Sequence, residues 1–347
     1  MFRIKNQFSI DKPNRAYIKF VTLALGDTIA YMPYVNEFQK RFGGTTYVAC
    51  GWGDLFDYPN LTYIPNKSNS KNWVKYLNLP DHDDGYRGGT YVLGSMHNPL
   101  HSLDSFIENA PKGIPISLQT TGARQLGLLD LEEKEIKPKI KAIKGDRKIH
   151  EKYVCIAMHA AVGNPQKYWN NLTGWQGVVD YLIDELGYTV VCIDIKSNYN
   201  YKGKSYDIPK RVLDKTGNID IQDRMVDLKY ADFFIGNSSG LAWLSWTVDT
   251  HVFMINGFTF PQNEFQSGCT HIYNPTVCTG CYVLGNPAGI CYFNGKEFTY
   301  RKDFFGRCPK YEVLDPDRMF ECTASITSEI VIEHIKKHTY SIGQSTP

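Results

Sequence analysis

Short apolar runs alternate along the chain with stretches whose apolar positions recur at three- and four-residue spacing. AYIKFVTLAL (16–25) reads as a buried strand and TIAYMPYVNEFQKRF (28–42) as a helix, followed by the strand-like runs TTYVAC (45–50), LTYIP (61–65) and TYVLGS (90–95). A second alternation opens at YVCIAMHA (153–160). It continues through a helix WQGVVDYLIDEL (175–186), a strand YTVVCIDI (188–195), DRMVDLKYA (223–231), DFFIGN (232–237), LAWLSWTV (241–248) and HVFMING (251–257). The tail ITSEIVIEHIKKH (326–338) has helical spacing and ends in cations, as a last helix should. Strand–helix alternation of this kind predicts βαβ units, each wound on a parallel sheet. Between the two alternations lies DLEEKEIKPKIKAIKGDRKIHEK (130–152), charged and poor in large apolar residues. It reads as a linker or, in its first part, as a solvated helix face.

At 347 residues the chain has room for two domains, each with its own core. The expected division is 1–150, 151–325 and a terminal helix and tail at 326–347. The 38 Lys+Arg against 36 Asp+Glu give no polybasic surface of the kind that binds phosphate backbones. The N-terminal stretch has no apolar core of a signal peptide, and no run reaches the roughly 18 apolar residues of a membrane span. The expectation is a cytoplasmic protein without membrane insertion. Of nine cysteines, Cys50, Cys155 and Cys192 sit in strand-like runs, where a thiol behaves as a small hydrophobe. The other six fall between Cys269 and Cys322, and in a reducing compartment such crowding favours metal over disulfides.

Three strand-to-helix turns carry chemistry. LALGDTIAYMPY (23–34) places Asp27 and Thr28 after the first strand, where open α/β sheets put their ligands; Thr28 is the better helix cap of the two. HAAVGNPQKYWNN (159–171) presents Lys167 beyond another strand end, an ammonium suited to phosphate. DFFIGNSSGLAWLSW (232–246) runs a buried strand into Asn237, Ser238, Ser239 and Gly240 and at once into an apolar helix. Free N–H groups, hydroxyls and a positive helix end converge there. The plainer readings are a surface lysine at 167 and a turn capped by Ser238. His159 reads as a structural histidine, and Trp243 and Trp246 as core. Neither a Walker nor a dinucleotide glycine pattern is present.

ALGDTIAYMPYVNEF (24–38), ISLQTTGARQLGL (116–128), KYWNNLTGWQGVVDYL (167–182), DRMVDLKYADFFIGNSSGLAWLSW (223–246) and FECTASITSEIVIEHI (320–335) keep their order along the chain. Together they resemble the bacterial autotransporter heptosyltransferases, related to the lipopolysaccharide heptosyltransferases of glycosyltransferase family 9. The resemblance implies a GT-B-type pair of Rossmann-like domains facing a central cleft, an acceptor-side N-terminal half and a donor-side C-terminal half. It implies transfer of a heptose-like sugar from a nucleotide sugar such as ADP-heptose to a hydroxyl, most readily a protein serine. Asp27 is the implied base, and Lys167, Thr28, Ser238, Ser239 and Gly240 the implied donor contacts, with no catalytic divalent metal. The family's four-thiolate finger falls on Cys278, Cys281, Cys308 and Cys322 within 269–322, holding structural ferric iron or zinc. Four thiolates suit either ion. The interval from Cys281 to Cys308 is longer than the family's and contains Cys291, which is open as a substitute ligand. A homo-oligomer is also implied. Two other readings stand beside this one: a phage-type enzyme glycosylating a hydroxymethylated DNA base from a UDP-sugar, and a non-catalytic nucleotide-sugar-binding scaffold.

Overall fold

The computed structural model describes residues 15–20, 23–65, 90–93, 117–160, 165–201, 204–280, 290–293, 296–299, 308 and 318–343. The chain divides into two compact units, one of residues 1–98 and 119–141, the other of residues 99–118 and 142–347.

The first unit is a four-stranded parallel sheet. Its strands are β1 (Arg15–Phe20), β2 (Thr45–Cys50), β3 (Leu61–Pro65) and β4 (Thr90–Leu93), in the order β3-β2-β1-β4. Helix α1 (Leu25–Phe42) follows β1 and buries Ile29, Ala30, Met32 and Val35. It ends at Gly43, whose N–H closes on the Gln39 carbonyl at 2.9 Å. Helix α2 (Leu118–Gln125) also belongs to this region.

The charged stretch after α2 is neither a free linker nor a helix face. Tyr34 donates to the Lys134 carbonyl. The buried Gln119 side chain brackets Ile136, donating to its carbonyl at 2.8 Å and accepting from its N–H at 3.1 Å. Lys139 N–H donates to the Tyr58 hydroxyl at 2.8 Å, and Ile140 bridges to Phe56. An extended strap with few apolar residues is thus held by side chains that satisfy its backbone.

The second unit is built on a six-stranded parallel sheet. In chain order the strands are β5 (Tyr153–Ala157), β6 (Thr189–Cys192), the two-residue pair β7 (Asn200–Tyr201) and β8 (Lys204–Ser205) as a separate hairpin, and β9 (Leu213–Asp214). They continue with β10 (Phe234–Asn237), β11 (Val252–Ile255) and β12 (Cys269–Ile272). β5, β10 and β11 are buried at every position, the run of apolar residues expected of central parallel strands covered on both faces.

Helices α3 (Gly174–Asp184), α4 (Ile221–Lys229), α5 (Gly240–Thr247), α6 (Glu321–Ala324) and α7 (Ser328–Gly343) complete the unit. Val178, Val179 and Leu182 of α3 share a core with Val331 and Ile335 of α7 and with Ile326 just before it. Helix α5 is apolar all round and accordingly buried from Ala242 to Thr247. Trp243 and Trp246 pack on Phe265, so both indoles are core.

Candidate functional site

Two helix starts differ from the sequence expectation. The first strand stops at Phe20 and α1 begins at Leu25, three residues earlier than the pattern predicts. Ala24 takes the N-cap position without a side-chain bond, which corrects the reading of Thr28 as cap. Thr28 is buried inside the first turn, its hydroxyl donating back to the Ala24 carbonyl at 2.9 Å. Asp27 is half-buried in that same turn, a carboxylate near the positive helix end.

Ser239, not Ser238, takes the N-cap position of the helix after β10. The Ser238 hydroxyl donates to the Glu264 carboxylate, whose other oxygen accepts the Trp243 indole N–H at 2.9 Å. Glu264 is 3% exposed, so the carboxylate stays buried because two donors satisfy it. Ser239 makes no side-chain cap bond, its hydroxyl has no protein partner, and no acid stands in the first turn of α5. Asn237 donates to the Met158 carbonyl, tying β10's end to β5's.

Lys167 lies in a short 3-10 turn, Pro165–Lys167, beyond β5. Its ammonium is 5.7 Å from the centre of the Phe258 ring, in the loop after β11. Within the second unit, Lys167, the Asn237–Gly240 turn and Phe258 therefore stand beyond the carboxyl ends of three adjacent parallel strands, β5, β10 and β11. That edge is where open α/β sheets bind ligands.

Three consecutive side chains clip the lysine turn to the C-terminal segment. Trp169 Nε1 donates to the Ile326 carbonyl at 2.7 Å, Asn170 Nδ2 to Thr323 Oγ1 at 2.9 Å, and Asn171 Nδ2 to the Ala324 carbonyl at 3.2 Å. Asn170 Nδ2 also faces the Pro165 and Tyr168 carbonyls, at 3.0 and 2.7 Å, which flank Lys167. Its Oδ1 accepts from the Tyr206 hydroxyl at 2.6 Å.

His159, beneath this turn, is a buried core histidine with one hydrogen-bonded nitrogen, Nε2, and a second, Nδ1, that faces a carboxylate without a hydrogen bond. Nδ1 lies 3.3 Å from the Asp194 carboxylate and Nε2 2.8 Å from the Tyr206 carbonyl. Burial opposes the charged ring, but Asp194 and the backbone acceptors outweigh it, and the pKa is raised. Asp194 also accepts the Met158 N–H at 2.6 Å, fixing the end of β5.

Of the finger cysteines, Cys278 and Cys308 are buried in one small cluster with Met319 and Phe320. Burial first, then the neighbouring Cys308 and Cys278, push the Cys322 thiol well above its usual range. Gly280 has φ 74°, a conformation that favours glycine, and its N–H donates to the Gly257 carbonyl at 2.7 Å. A side chain there would meet Phe260 at 2.0 Å. Gly257 in turn lies against the finger: a Cβ on it would stand 2.4 Å from Thr323 Cγ2 and 3.2 Å from Cys322 Sγ. Among the described residues no group of three or more His, Cys, Asp or Glu is set to hold an ion. Cys281 lies outside the described residues, as does the side chain of Cys291 in β13 (Ile290–Phe293).

No protein-family profile matches the chain. Individual relatives do. The autotransporter heptosyltransferase Aah of Escherichia coli is 32% identical over 333 residues, covering 95% of this chain and 75% of Aah. The chain belongs to the autotransporter heptosyltransferase family. This heptosyltransferase is also similar to TibC of Escherichia coli O78:H11, 30% identical over 94% of the chain and 71% of TibC. The crystal structure of TibC, described as an iron-containing dodecameric glycosyltransferase, superposes with a TM-score of 0.71 at 28% identity, covering 96% of this chain and 77% of that one. TibC has also been crystallised in complex with ADP-D-beta-D-heptose. The ADP-heptose lipopolysaccharide heptosyltransferase II of E. coli shares the fold at a TM-score of 0.53 and 13% identity, over 75% of this chain and 90% of that one. The chain is thus a glycosyltransferase with the α/β fold of these enzymes, and the scaffold reading gives way to an enzyme. None of these relatives supports a DNA acceptor. No described helix is long and apolar enough to cross a membrane.

Glu264, Asn170 and Asp194 escaped the sequence reading. Only Asn170 had a local signal, the unusual Trp-Asn-Asn run directly after the lysine turn.

Proposed function

We propose that this heptosyltransferase moves a heptose from ADP-heptose to a serine hydroxyl of a protein acceptor. The observation that carries the reading is the convergence of Lys167, the uncapped start of α5 and the Phe258 loop beyond three adjacent strands. The ammonium and the free N–H groups of the helix start receive the diphosphate, with Ser239 Oγ as a further donor. Ser238 serves the turn indirectly, through Glu264, and Gly240 lets a phosphate approach the backbone.

In the transfer step the acceptor oxygen bonds to the anomeric carbon while the bond from that carbon to the phosphate oxygen breaks. The electron pair leaves with ADP, and Asp27 takes the hydroxyl proton. Lys167 and the helix start meet the charge that develops on the leaving phosphate.

Cys278, Cys281, Cys308 and Cys322 would hold the structural ion, iron as in TibC or zinc. The Cys322 thiol, raised by burial and by two neighbouring thiols, is the kind of group a cation would relieve of its proton. A closed four-thiolate site supplies folding energy to a loop-rich segment rather than a reaction step. A cytoplasmic homo-oligomer fits the same reading.

Incubating the enzyme with ADP-heptose and a serine-bearing autotransporter passenger, with mass spectrometry of the product, tests it. A heptose mass increment on the passenger is expected. The absence of both transfer and donor hydrolysis would refute the donor assignment, and hydrolysis without transfer would refute the acceptor.

A further inference from the structure

We infer that Asn170 is a positioning residue: it sets the lysine-bearing turn through Thr323, so that the backbone following Cys322 governs how tightly the donor diphosphate is held. The inference rests on the reading of Lys167 as a diphosphate contact.

The geometry supplies two routes from one short segment to one ammonium. In the first, Thr323 Oγ1, in a residue 1% exposed, accepts from Asn170 Nδ2 at 2.9 Å and faces the Asn170 N–H at 3.3 Å. The two hydrogens of the same Nδ2 are shared with the carbonyls of Pro165 and Tyr168, which lie within 3.0 Å of it on either side of Lys167. Asn170 is itself 4% exposed and held from its other end by the Tyr206 hydroxyl. A buried amide with every partner in place has one orientation, so moving Thr323 moves the turn.

In the second route, Gly257 is pressed against Thr323 and Cys322, and the next residue, Phe258, carries the ring beneath the Lys167 ammonium. A lysine on a flexible four-carbon stem binds a diphosphate well only when its base is fixed, because ordering the stem costs conformational entropy. Fixing the turn lowers that cost.

The two bonded stretches lie 153 residues apart in sequence. The arrangement therefore ties the C-terminal cysteine segment to donor binding, while leaving the reacting groups elsewhere.

The test uses the full chain and ADP-heptose, reading the donor dissociation constant by calorimetry and the KM and kcat of transfer. Lys167→Ala should weaken donor binding about 10- to 100-fold, as expected for losing a charged hydrogen-bond donor. Thr323→Val, which keeps the shape and removes the hydroxyl, should weaken it about 5-fold and lower kcat/KM by at least as much, because the lysine it sets also meets the developing charge. Thr323→Ser should restore affinity to within about 2-fold of the parent. The double variant Lys167→Ala/Thr323→Val should bind no more weakly than Lys167→Ala alone, because the hydroxyl acts through the lysine.

If Lys167→Ala leaves affinity unchanged, the lysine reading falls and this inference with it. If Lys167→Ala weakens binding while Thr323→Val does not, or the two losses add, the positioning role alone is wrong. Should Thr323→Val fail to fold, Tyr206→Phe carries the test from the opposite end of Asn170. A loss of about 3-fold is expected there, and unchanged affinity would overturn the inference.

Discussion

The turns after β1 and after β10 are built alike and charged oppositely. Each leads a buried parallel strand into a helix whose N-cap residue, Ala24 or Ser239, makes no side-chain cap bond. In both, the nearby hydroxyl that could have capped is directed elsewhere, Thr28 back along its own helix and Ser238 to Glu264. The difference is the first turn. Asp27 stands in that of α1, whereas that of α5 contains no acid. One helix dipole is complemented by a carboxylate from its own chain, and the other has no acid of its own in its first turn. Under the proposed function, a proton acceptor and a diphosphate receptor arise from the same local design with one change of charge.

Neutralising the first turn and charging the second should break that contrast in separable ways. Asp27→Asn removes the base and should lower kcat by about 10²- to 10⁴-fold with donor affinity retained, read from steady-state transfer beside calorimetry. An unchanged rate would remove Asp27 from the mechanism. Ser239→Asp places an acid where the diphosphate is to sit. Aspartate is as good an N-cap as serine, so thermal stability should hold while donor affinity falls, by about 10- to 100-fold, the scale of one charged contact. Undiminished affinity would mean that the α5 start does not receive the donor.

A smaller effect concerns what supports the second turn and has no counterpart in the first unit. Gly257→Ala puts a methyl group 2.4 Å from Thr323 and 3.2 Å from the Cys322 sulfur. Overpacking of this kind costs about 1–3 kcal/mol, so the melting temperature should drop by several degrees. Donor affinity should fall with it, since Phe258 and Thr323 both shift. A variant that melts like the parent would show that this segment yields freely.

Much of this contrast could be read from the chain. The two alternations of strand and helix, the central strands β5, β10 and β11, and the three chemical turns all follow from runs of buried apolar residues ending in polar ones. The helix start at Leu25 was hidden because VTLAL is as apolar as a strand, and only burial separates the exposed Leu23 from the core. The capping roles were misread for a related reason. Thr28 and Ser238 are good caps by type, but a buried hydroxyl takes the acceptor its packing offers, and at Ser238 that acceptor is Glu264, 26 residues away. The strap from Glu132 to Lys141 looked like a linker because its own side chains are charged; the groups that hold it, Tyr34, Gln119 and Tyr58, lie on other elements. The Asn170–Thr323 bond leaves no periodic trace at all.

The smallest expected effect separates the two units by stability rather than chemistry. The described histidines with shifted pKa values, His159, His251 and His338, all belong to the second unit. His251 precedes β11 and stacks on His338 of α7 with ring centroids 3.9 Å apart. Burial, then the neighbouring His338, lowers the His251 pKa to about 4, and burial lowers that of His338. Both rings are therefore neutral in the folded protein at pH values where they would be half-charged unfolded. A lowered histidine pKa means that the unfolded chain binds the proton more readily, so the stability is full above about 6.5 and is lost as pH falls toward about 4. After discounting for partial exposure the loss is about 2 kcal/mol. Acid titration followed by hydrogen exchange should release α7 and β11 first, with α1 and β1 protected to lower pH. His338→Phe removes one of the two titrating rings while keeping the stack on Phe253 and His251, and should flatten the acid limb. An acid limb of the same depth in His338→Phe, or release of the first unit ahead of α7, would assign the acid sensitivity to other groups.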